Sequence, residues 1–98
     1  MKVRLTSAAR ADVSEAHNWY LQRSPRAARA FLDAVEVALT AIGESPAANL
    51  LVHRNLRRLL VRGFPYGVFY YVQPDQVVVI GCMHGARHPR TWQRRSLN

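Results

Sequence analysis

The chain has 98 residues, 49% of them hydrophobic, and a formal net charge of +8. This length accommodates one domain with a modest core, and the apolar content excludes an intrinsically disordered chain. The positive charge lies in residues 51–98, which hold eight arginines and one acid, Asp75, whereas residues 1–50 hold six basic and five acidic side chains. This distribution predicts a partner that is a polyanion or an acidic protein.

Cysteine content and hydropathy indicate the compartment. Cys82 is the single cysteine, so an intrachain disulfide is excluded and a reducing environment is expected. The opening MKVRLTSAAR lacks the apolar stretch of a signal peptide, and no apolar run approaches the ~20 residues that span a bilayer. We therefore expect a soluble, cytoplasmic protein that binds no membrane.

A short strand and a helix are predicted first. Residues 2–5 alternate basic and apolar side chains, which favours a strand with one buried face. Thr6 or Ser7 then supplies an oxygen that accepts hydrogen bonds from the free amides of a helix start. The apolar side chains of this first helix share one face: Ala9, Val13, Ala16 and Tyr20.

A second helix follows at Ser24 and Pro25, a cap and a residue suited to the first helical position. Gly43 is predicted to close this helix in the left-handed conformation, and Pro46 prevents its continuation. The two helices, joined by a short link, should form an antiparallel hairpin. The apolar face of the second helix is the clearest pattern in the chain: Ala28, Phe31, Leu32, Val35, Ala38, Leu39 and Ile42.

The second half predicts a loop over residues 47–53 and then three strands. RRLLVR (57–62), YGVFYYV (66–72) and VVVIGCM (77–83) are rich in β-branched and aromatic residues, and the segments between them carry Pro, Gly and Asp. These strands should form an antiparallel meander. The predicted fold is therefore α+β, in the order β-α-α-β-β-β, as a single domain over 1–98. The helical hairpin covers one face of the sheet, and the other face stays solvated and available for function.

Arginines on the first meander strand have two interpretations. Arg57, Arg58 and Arg62 can protect an edge strand from pairing with other molecules. The excess of arginine continues, however, through Arg87, Arg90, Arg94 and Arg95 with no acid between them. This continuation favours a functional basic surface.

The segment HGARHPRTWQRR (84–95) allows three chemistries. Cys82, His84 and His88 superficially resemble a metal site, but a fourth ligand is not evident, so a small buried cysteine is the preferred interpretation. His84 and His88 can alternatively act as general base and acid on RNA, with Arg87 binding the phosphate. We expect neither a metal nor a cofactor. The last part, residues 93–95, is predicted to be a solvated basic tail.

Aromatic side chains are the remaining candidates for contacts. Trp92 either stacks on a base or packs on the core, and packing is favoured because a small core needs large aromatic side chains. Alternation sends Phe69 and Tyr71 to one face of their strand and Tyr70 to the other. At least one aromatic in the segment containing Tyr66 and these three is therefore expected at the surface.

Taken in order, these motifs resemble the ParE/RelE superfamily of small bacterial toxins from type II toxin–antitoxin modules. The most specific segments are FPY (64–66) followed by an aromatic strand, and HGAR-x-P-x-x-W (84–92). The resemblance covers nearly the whole chain. It also includes single positions in and after the two helices: Ala9, Asp12, Ala28, Phe31 and Pro46.

The resemblance implies a helical hairpin on an antiparallel sheet and a cognate antitoxin, expected to be acidic and to bind DNA, in a toxin–antitoxin hetero-oligomer. RelE-like members cleave messenger RNA on the ribosome, whereas ParE-like members poison DNA gyrase. Arg87, Arg57 and Arg58 match basic positions of the ribonucleases. Gly67 stands where those enzymes typically carry an arginine, and no tyrosine follows Tyr71.

These two departures favour a ParE-like inhibitor of DNA gyrase that arrests growth and is not an enzyme. The alternatives are a ribosome-dependent mRNA endonuclease and a detoxified domain that only binds the antitoxin. If the chain is a ribonuclease, its catalytic residues are expected to be Arg87, His84, His88 and Arg58. The expected target-binding residues are basic side chains of the second half: Arg57, Arg58, Arg62, His84, Arg87, His88 and Arg90.

Overall fold

A helical hairpin and a five-stranded sheet make up the computed structural model, which describes residues 1–95. Residues 96–98 of the predicted 1–98 domain lie outside the described residues. The elements in chain order are β1 (Lys2–Leu5), α1 (Ser7–Leu21), α2 (Pro25–Glu44), a 3₁₀ turn (Pro46–Ala48), β2 (Leu50–His53), β3 (Leu56–Leu60), β4 (Tyr66–Val72), β5 (Gln76–His84) and α3 (Pro89–Gln93).

The strand order in the sheet is β1-β5-β4-β3-β2. The antiparallel meander of β3, β4 and β5 is confirmed, as is the α+β fold class. β1 runs parallel to β5, with Leu5 opposite Val79, so the sheet is mixed. The prediction that residues 47–53 form a loop is wrong, because Leu50–His53 pair with β3 as an edge strand. The four residues of this edge strand do not alternate between polar and apolar, so their sequence gives no strand pattern. The strand is recognised from its pairing with β3.

Both long helices begin as predicted. The Thr6 hydroxyl accepts a hydrogen bond from the Ala9 amide at 3.1 Å, and the Ser24 hydroxyl accepts one from the Ala27 amide at 3.1 Å. Pro25 occupies the first turn of α2, where its missing N–H leaves no partner unsatisfied. Local capping chemistry thus determines both helix starts.

Gly43 does not close α2 in the left-handed conformation. The helix continues through Glu44, and the positive-φ glycine of residues 1–95 is Gly63. A Cβ at Gly43 would lie 3.1 Å from the Met1 carbonyl oxygen and 3.2 Å from Val3. The N-terminal ammonium also donates to the Gly43 carbonyl at 2.9 Å. Glycine is required here because β1 crosses close to the helix end.

The main core lies between the helical hairpin and the sheet. Ala9 and Ala16 of α1 and Phe31 of α2 are buried there, as their helical spacing predicts. Phe31 lies at the centre of an aromatic group, with ring centroids 5.3 Å from those of Phe64 and Tyr66. This core fixes the hairpin on one face of the sheet.

The opposite face of the sheet is also buried, so the prediction of a solvated second face is wrong. Trp92 of α3, only 8% exposed, stacks on Phe69 with 5.1 Å between ring centroids. The preference for packing by Trp92 is therefore confirmed. The cluster on this face contains seven buried residues: Leu56, Phe69, Tyr71, Val78, Ile80, Met83 and Trp92.

Alternation along β4 is confirmed, but the expectation of an accessible aromatic is wrong for its central residues. Phe69 and Tyr71 face α3 and Tyr70 faces the helices, and all three are at most 3% exposed. The Tyr70 hydroxyl donates to the Pro46 carbonyl at 2.7 Å and accepts from Asn49 at 2.9 Å. The sheet thus has an apolar core on each face.

Trp92→Ala is expected to destabilise the protein strongly, because it removes the aromatic side chain that covers the second core. The expected loss is about 3 kcal/mol of unfolding free energy, measured by urea denaturation. Trp19→Ala is the matched control, since Trp19 is 49% exposed and should cost less than about 1 kcal/mol. Equal losses for the two variants would contradict a buried role for Trp92.

Candidate target-binding site

A β-bulge in β5 determines which side chains reach the functional end of the sheet. Phe69 pairs with Gly81 whereas Tyr70 pairs with Val79, so the register shifts at Ile80. After this extra residue, Cys82 returns to the helix side together with Val79. Bulges reset alternation in this way, and the glycine next to it, Gly81, is the sequence feature that could have indicated its position.

His84 lies at the end of β5, opposite Tyr66 at the start of β4. The two rings meet edge to face with 5.3 Å between their centroids. The His84 Nδ1 accepts a hydrogen bond from the Ala86 amide at 2.9 Å. This bond orients the imidazole and engages one of its two nitrogens.

Residues 85–95, here called the C-terminal strap, continue from His84 across the second face of the sheet. The Arg87 amide donates to the His84 carbonyl at 3.0 Å, which turns the chain. His88 caps α3, because its Nδ1 accepts from the Arg90 amide at 3.1 Å. The strap thus begins with two tight turns and ends on a buried tryptophan.

A cleft of about 240 Å³ separates the strap from the start of β4 and from β3. Its walls are mostly apolar, contributed by the buried rings of Phe69 and Trp92 and by Met83. Its polar side chains are Arg58, Tyr66, His84 and Arg87. We call it the basic cleft, because two arginines border an apolar interior.

A smaller cleft of about 100 Å³ lies on the helix side of the same strand ends. It shares Tyr66, His84 and Arg87 with the basic cleft and adds Glu15 and Trp19 of α1. Burial is the main cause that raises the pKa of Tyr66, and Arg87 acts in the opposite direction. The phenol therefore stays neutral at physiological pH and acts there as a hydrogen-bonding group.

The structure brings together only part of the predicted basic surface. Arg58, His84 and Arg87 line the basic cleft, whereas His88 and Arg90 border a shallow pocket on α3 with Arg94. His88 is engaged in capping α3, where its Nδ1 accepts from the Arg90 amide, and Trp92 is the α3 residue that lines the cleft.

Arg57 and Arg62 lie apart from the basic cleft. Arg57 is opposite Tyr70 and donates to the Asn49 carbonyl at 2.6 Å, on the helix side of the sheet. Arg62 is exposed in the turn after β3. Edge protection does not explain the strand arginines, because β3 is internal and β2 forms the edge.

Gly67 allows Arg58 to cross β4 toward the cleft. A Cβ at Gly67 would lie 3.0 Å from the Arg58 Cδ and 3.1 Å from its Cγ. Any side chain at this position would therefore push the Arg58 stem aside. The glycine that departs from the ribonuclease pattern thus has a packing role in this chain.

The prediction of a solvated tail over residues 93–95 is wrong for Arg95. Its guanidinium forms an ion pair with Asp12 of α1, whose side chain is 10% exposed. Arg94 is exposed, as predicted. No sequence signal could have paired Asp12 with Arg95, since they are 83 positions apart and both types are usually solvated.

Cys82 is buried, as the sequence predicts. Burial, followed by the nearby Asp12 carboxylate, raises the pKa of its thiol to about 12. The thiol is therefore neutral and a poor nucleophile. Residues 1–95 contain no group of three or more His, Cys, Asp or Glu side chains arranged to hold a metal ion.

Comparison with known proteins supplies the family. The sequence matches the family model of the ParE toxin of type II toxin–antitoxin system, parDE, over residues 3–89. No curated protein matches it. Within residues 1–95, no helix has the length and apolar character needed to cross a membrane.

Solved structures show the same fold at low sequence identity. The chromosomal ParDE TA system from P. aeruginosa superimposes with a TM-score of 0.75 at 15% identity, over 86% of this chain and 95% of that chain. The YoeB/ParE toxin from Agrobacterium tumefaciens has a TM-score of 0.62 at 16% identity, over 86% of this chain and 98% of that one. At these identities the likeness establishes the fold.

Cys82→Ala is expected to reduce the alkaline sensitivity of the protein. An unfolded thiol ionises near its ordinary pKa of 9.0, whereas the native thiol keeps its proton to about 12. Above pH 9 the native state therefore binds more protons than the unfolded state, and stability falls as the pH rises.

Urea denaturation from pH ~8 to ~10.5 measures this effect, which is at most about 1.4 kcal/mol per pH unit above the unfolded pKa. Tyr20 and Tyr66 also have raised pKa values, but they are present in both proteins. The wild type should lose more stability than the variant over this range. Parallel pH profiles would show that Cys82 ionises equally in both states.

Proposed function

The chain belongs to the ParE toxin family of type II toxin–antitoxin systems, and on that basis we propose that it inhibits DNA gyrase without catalysing a reaction. As a toxin of such a system it has a cognate antitoxin as its partner. On this proposal the toxin acts in the cytoplasm and arrests growth. The +7 charge of residues 51–98 favours an acidic antitoxin segment, because opposite charges attract and orient the partners.

Gly67 is the observation that carries the non-enzymatic proposal. Ribonucleases of the superfamily typically place an arginine at this position, directly after the tyrosine. Here the position has no side chain, and the Arg58 stem occupies the adjacent space, 3.0 Å from where a Cβ would lie. No tyrosine follows Tyr71 in the sequence either. The arginine typical of these ribonucleases is therefore missing, and their C-terminal catalytic residue, a tyrosine or a histidine, could be supplied here only by His84 or His88.

The composition of the basic cleft supports protein recognition. An apolar interior bordered by arginines matches the anatomy of interface hot spots, in which a buried anchor is surrounded by polar contacts. A bulky apolar side chain next to a carboxylate fits both features. Arg58 and Arg87 would then bind the carboxylate while Phe69 and Trp92 contact the anchor.

A ribosome-dependent mRNA endonuclease is the second candidate, because Arg58, His84 and Arg87 converge on one cleft. In that case Arg87 would bind the scissile phosphate and His84 would transfer protons. His88, which the sequence also offers, caps α3 and does not line the cleft. A detoxified domain that only binds the antitoxin is the third possibility, and it predicts that expression of the chain alone leaves growth unaffected.

The purified toxin is expected to inhibit gyrase in a DNA supercoiling assay. Arg87→Gln should raise the concentration for half-inhibition about tenfold, as expected for loss of one interface arginine. Arg29→Gln is the matched control. Arg29 is exposed on α2, and its substitution removes the same charge as Arg87→Gln. No inhibition by an excess of wild-type toxin would overturn the proposal.

Messages in a translating extract are expected to stay intact at a toxin concentration that inhibits gyrase, because position 67 is glycine where the ribonucleases typically carry arginine and no tyrosine follows Tyr71. Primer extension along a translated message measures cleavage. Cleavage that disappears in Arg87→Ala but persists in Arg29→Ala would establish the endonuclease instead.

A further inference from the structure

The ion pair between Asp12 and Arg95 joins α1 to the end of the C-terminal strap. The contact is bidentate: Arg95 Nη1 lies 2.5 Å from one carboxylate oxygen and Nη2 lies 3.1 Å from the other. The side chains are 10% and 28% exposed respectively. Bidentate, partly desolvated pairs of this kind are among the stronger charge interactions in proteins. We call this contact the Asp12–Arg95 latch.

The latch also completes the hydrogen bonding of β5 where its neighbour ends. β1 stops at Leu5, opposite Val79, so β5 continues beyond it without a parallel partner. There the Cys82 amide donates to the Asp12 carboxylate at 3.0 Å, and Arg95 donates to the Ile80 carbonyl at 3.2 Å. The ion pair thus takes the place of further β1 residues.

Gly81 lets the latch lie against the β5 backbone. A Cβ at this position would come within 3.1 Å of Arg95 Nη1 and 3.3 Å of Asp12 Oδ2, and it would clash with the Met83 side chain. The bulge at Ile80, the glycine and the two charged side chains therefore form one fitted arrangement. Arg95 lies outside residues 3–89, the part of the chain that matches the family.

The first residues of the strap are held at the end of β5, because the Gly85 amide donates to the Pro65 carbonyl at 2.8 Å and the Arg87 amide donates to the His84 carbonyl at 3.0 Å. Beyond them the strap depends on α3, whose five residues are too few for a helix that is stable by itself. Trp92 is buried there in the second core, and Arg95 is paired with α1. Arg87 lies between these two sets of contacts, so the placement of its side chain depends on both.

We propose that Asp12 and Arg95 are positioning residues for the toxin's target contact: the latch holds the strap so that Arg87 borders the basic cleft. Neither latch residue lines the basic cleft, whereas Asp12 lines the smaller cleft that Arg87 also borders, so Arg95→Gln is the cleaner test of positioning. This inference rests on the proposed role of Arg87 in target binding. Removing one partner leaves the other charge partly buried and unpaired, so the latch opens when either is changed.

Arg95→Gln and Asp12→Asn test the latch from its two sides, and Arg94→Gln is the matched control. Arg94 is the adjacent exposed arginine, so its change removes the same charge without opening the latch. Hydrogen exchange of the purified toxins should show strap amides exchanging at least about tenfold faster in the two latch variants. Amides of β4 should be unaffected, and Arg94→Gln should resemble the wild type.

Growth arrest after induction is the functional measurement, because it does not require the target to be known. The latch variants should arrest growth less strongly at equal protein level, and Arg94→Gln should arrest it fully. Arg95→Lys keeps one cation and should restore part of the strap protection and of the toxicity. In the double variant, strap exchange should be no faster than in the more affected single variant, because both changes remove one interaction.

Ile42→Val separates positioning from general instability. Ile42 is fully buried in the main core near the end of α2 and lines neither cleft, so this variant lowers the unfolding free energy while the latch stays closed. It should keep its toxicity when conditions are chosen so that its stability matches that of Arg95→Gln. Loss of toxicity in Ile42→Val to the same degree would overturn the inference.

Two further results would also overturn the inference: strap amides that stay protected in Arg95→Gln, or full growth arrest by Arg95→Gln despite a loosened strap. The gyrase proposal is tested separately in the supercoiling assay. If it fails there, the hydrogen-exchange and growth-arrest measurements still test the latch. Full growth arrest by Arg87→Gln would remove the premise that Arg87 contacts the target.

Discussion

The central strands β4 and β5 are apolar on both faces, and this constraint governs the rest of the fold. A strand buried on both faces needs a cover on each side. The helical hairpin supplies one cover, and Trp92, after β5, supplies the cover of the second face. The strap that carries Arg87 is therefore also part of the core, through Trp92. The proposed target contact and the folding of the domain therefore involve the same short segment.

The sequence predicted the features that local chemistry determines. Helix starts at Thr6 and Ser24 follow from side chains that cap the first turn, and the meander follows from β-branched runs separated by turn residues. β2, the second core and the Asp12–Arg95 pair were missed. Each depends on contacts between residues far apart in the chain. The continuous apolar run of residues 77–83 is typical of a strand buried on both faces, but no local pattern identifies what covers it or pairs Asp12 with Arg95. Gly43 was misinterpreted for the same reason, since its constraint is the approach of β1.

The candidate site divides in a similar way. Arg58, His84 and Arg87 lie around one cleft, but the β-bulge in β5 and the capping of α3 by His88 decide which other side chains join them. The residue types were enough to predict a basic surface. Which of the basic side chains line the cleft depends on the register of the backbone, which the sequence does not give. Gly67 links residue type to backbone position. Its missing side chain makes room for Arg58, and it also leaves this position without the arginine expected of a ribonuclease.

The pairing of the first strand with the last one has a consequence for biosynthesis. β1 is synthesised at the start of the chain, but its partner β5 follows both helices and the other three strands, and Asp12 waits longer still for Arg95. Contacts of such high sequence separation form late, because a long loop must close first. A nascent chain that has not yet exposed β5 therefore lacks the β1–β5 edge of its sheet and its strap. The basic cleft needs both β5 and the strap, so it is completed only after the residues up to Arg95 have emerged.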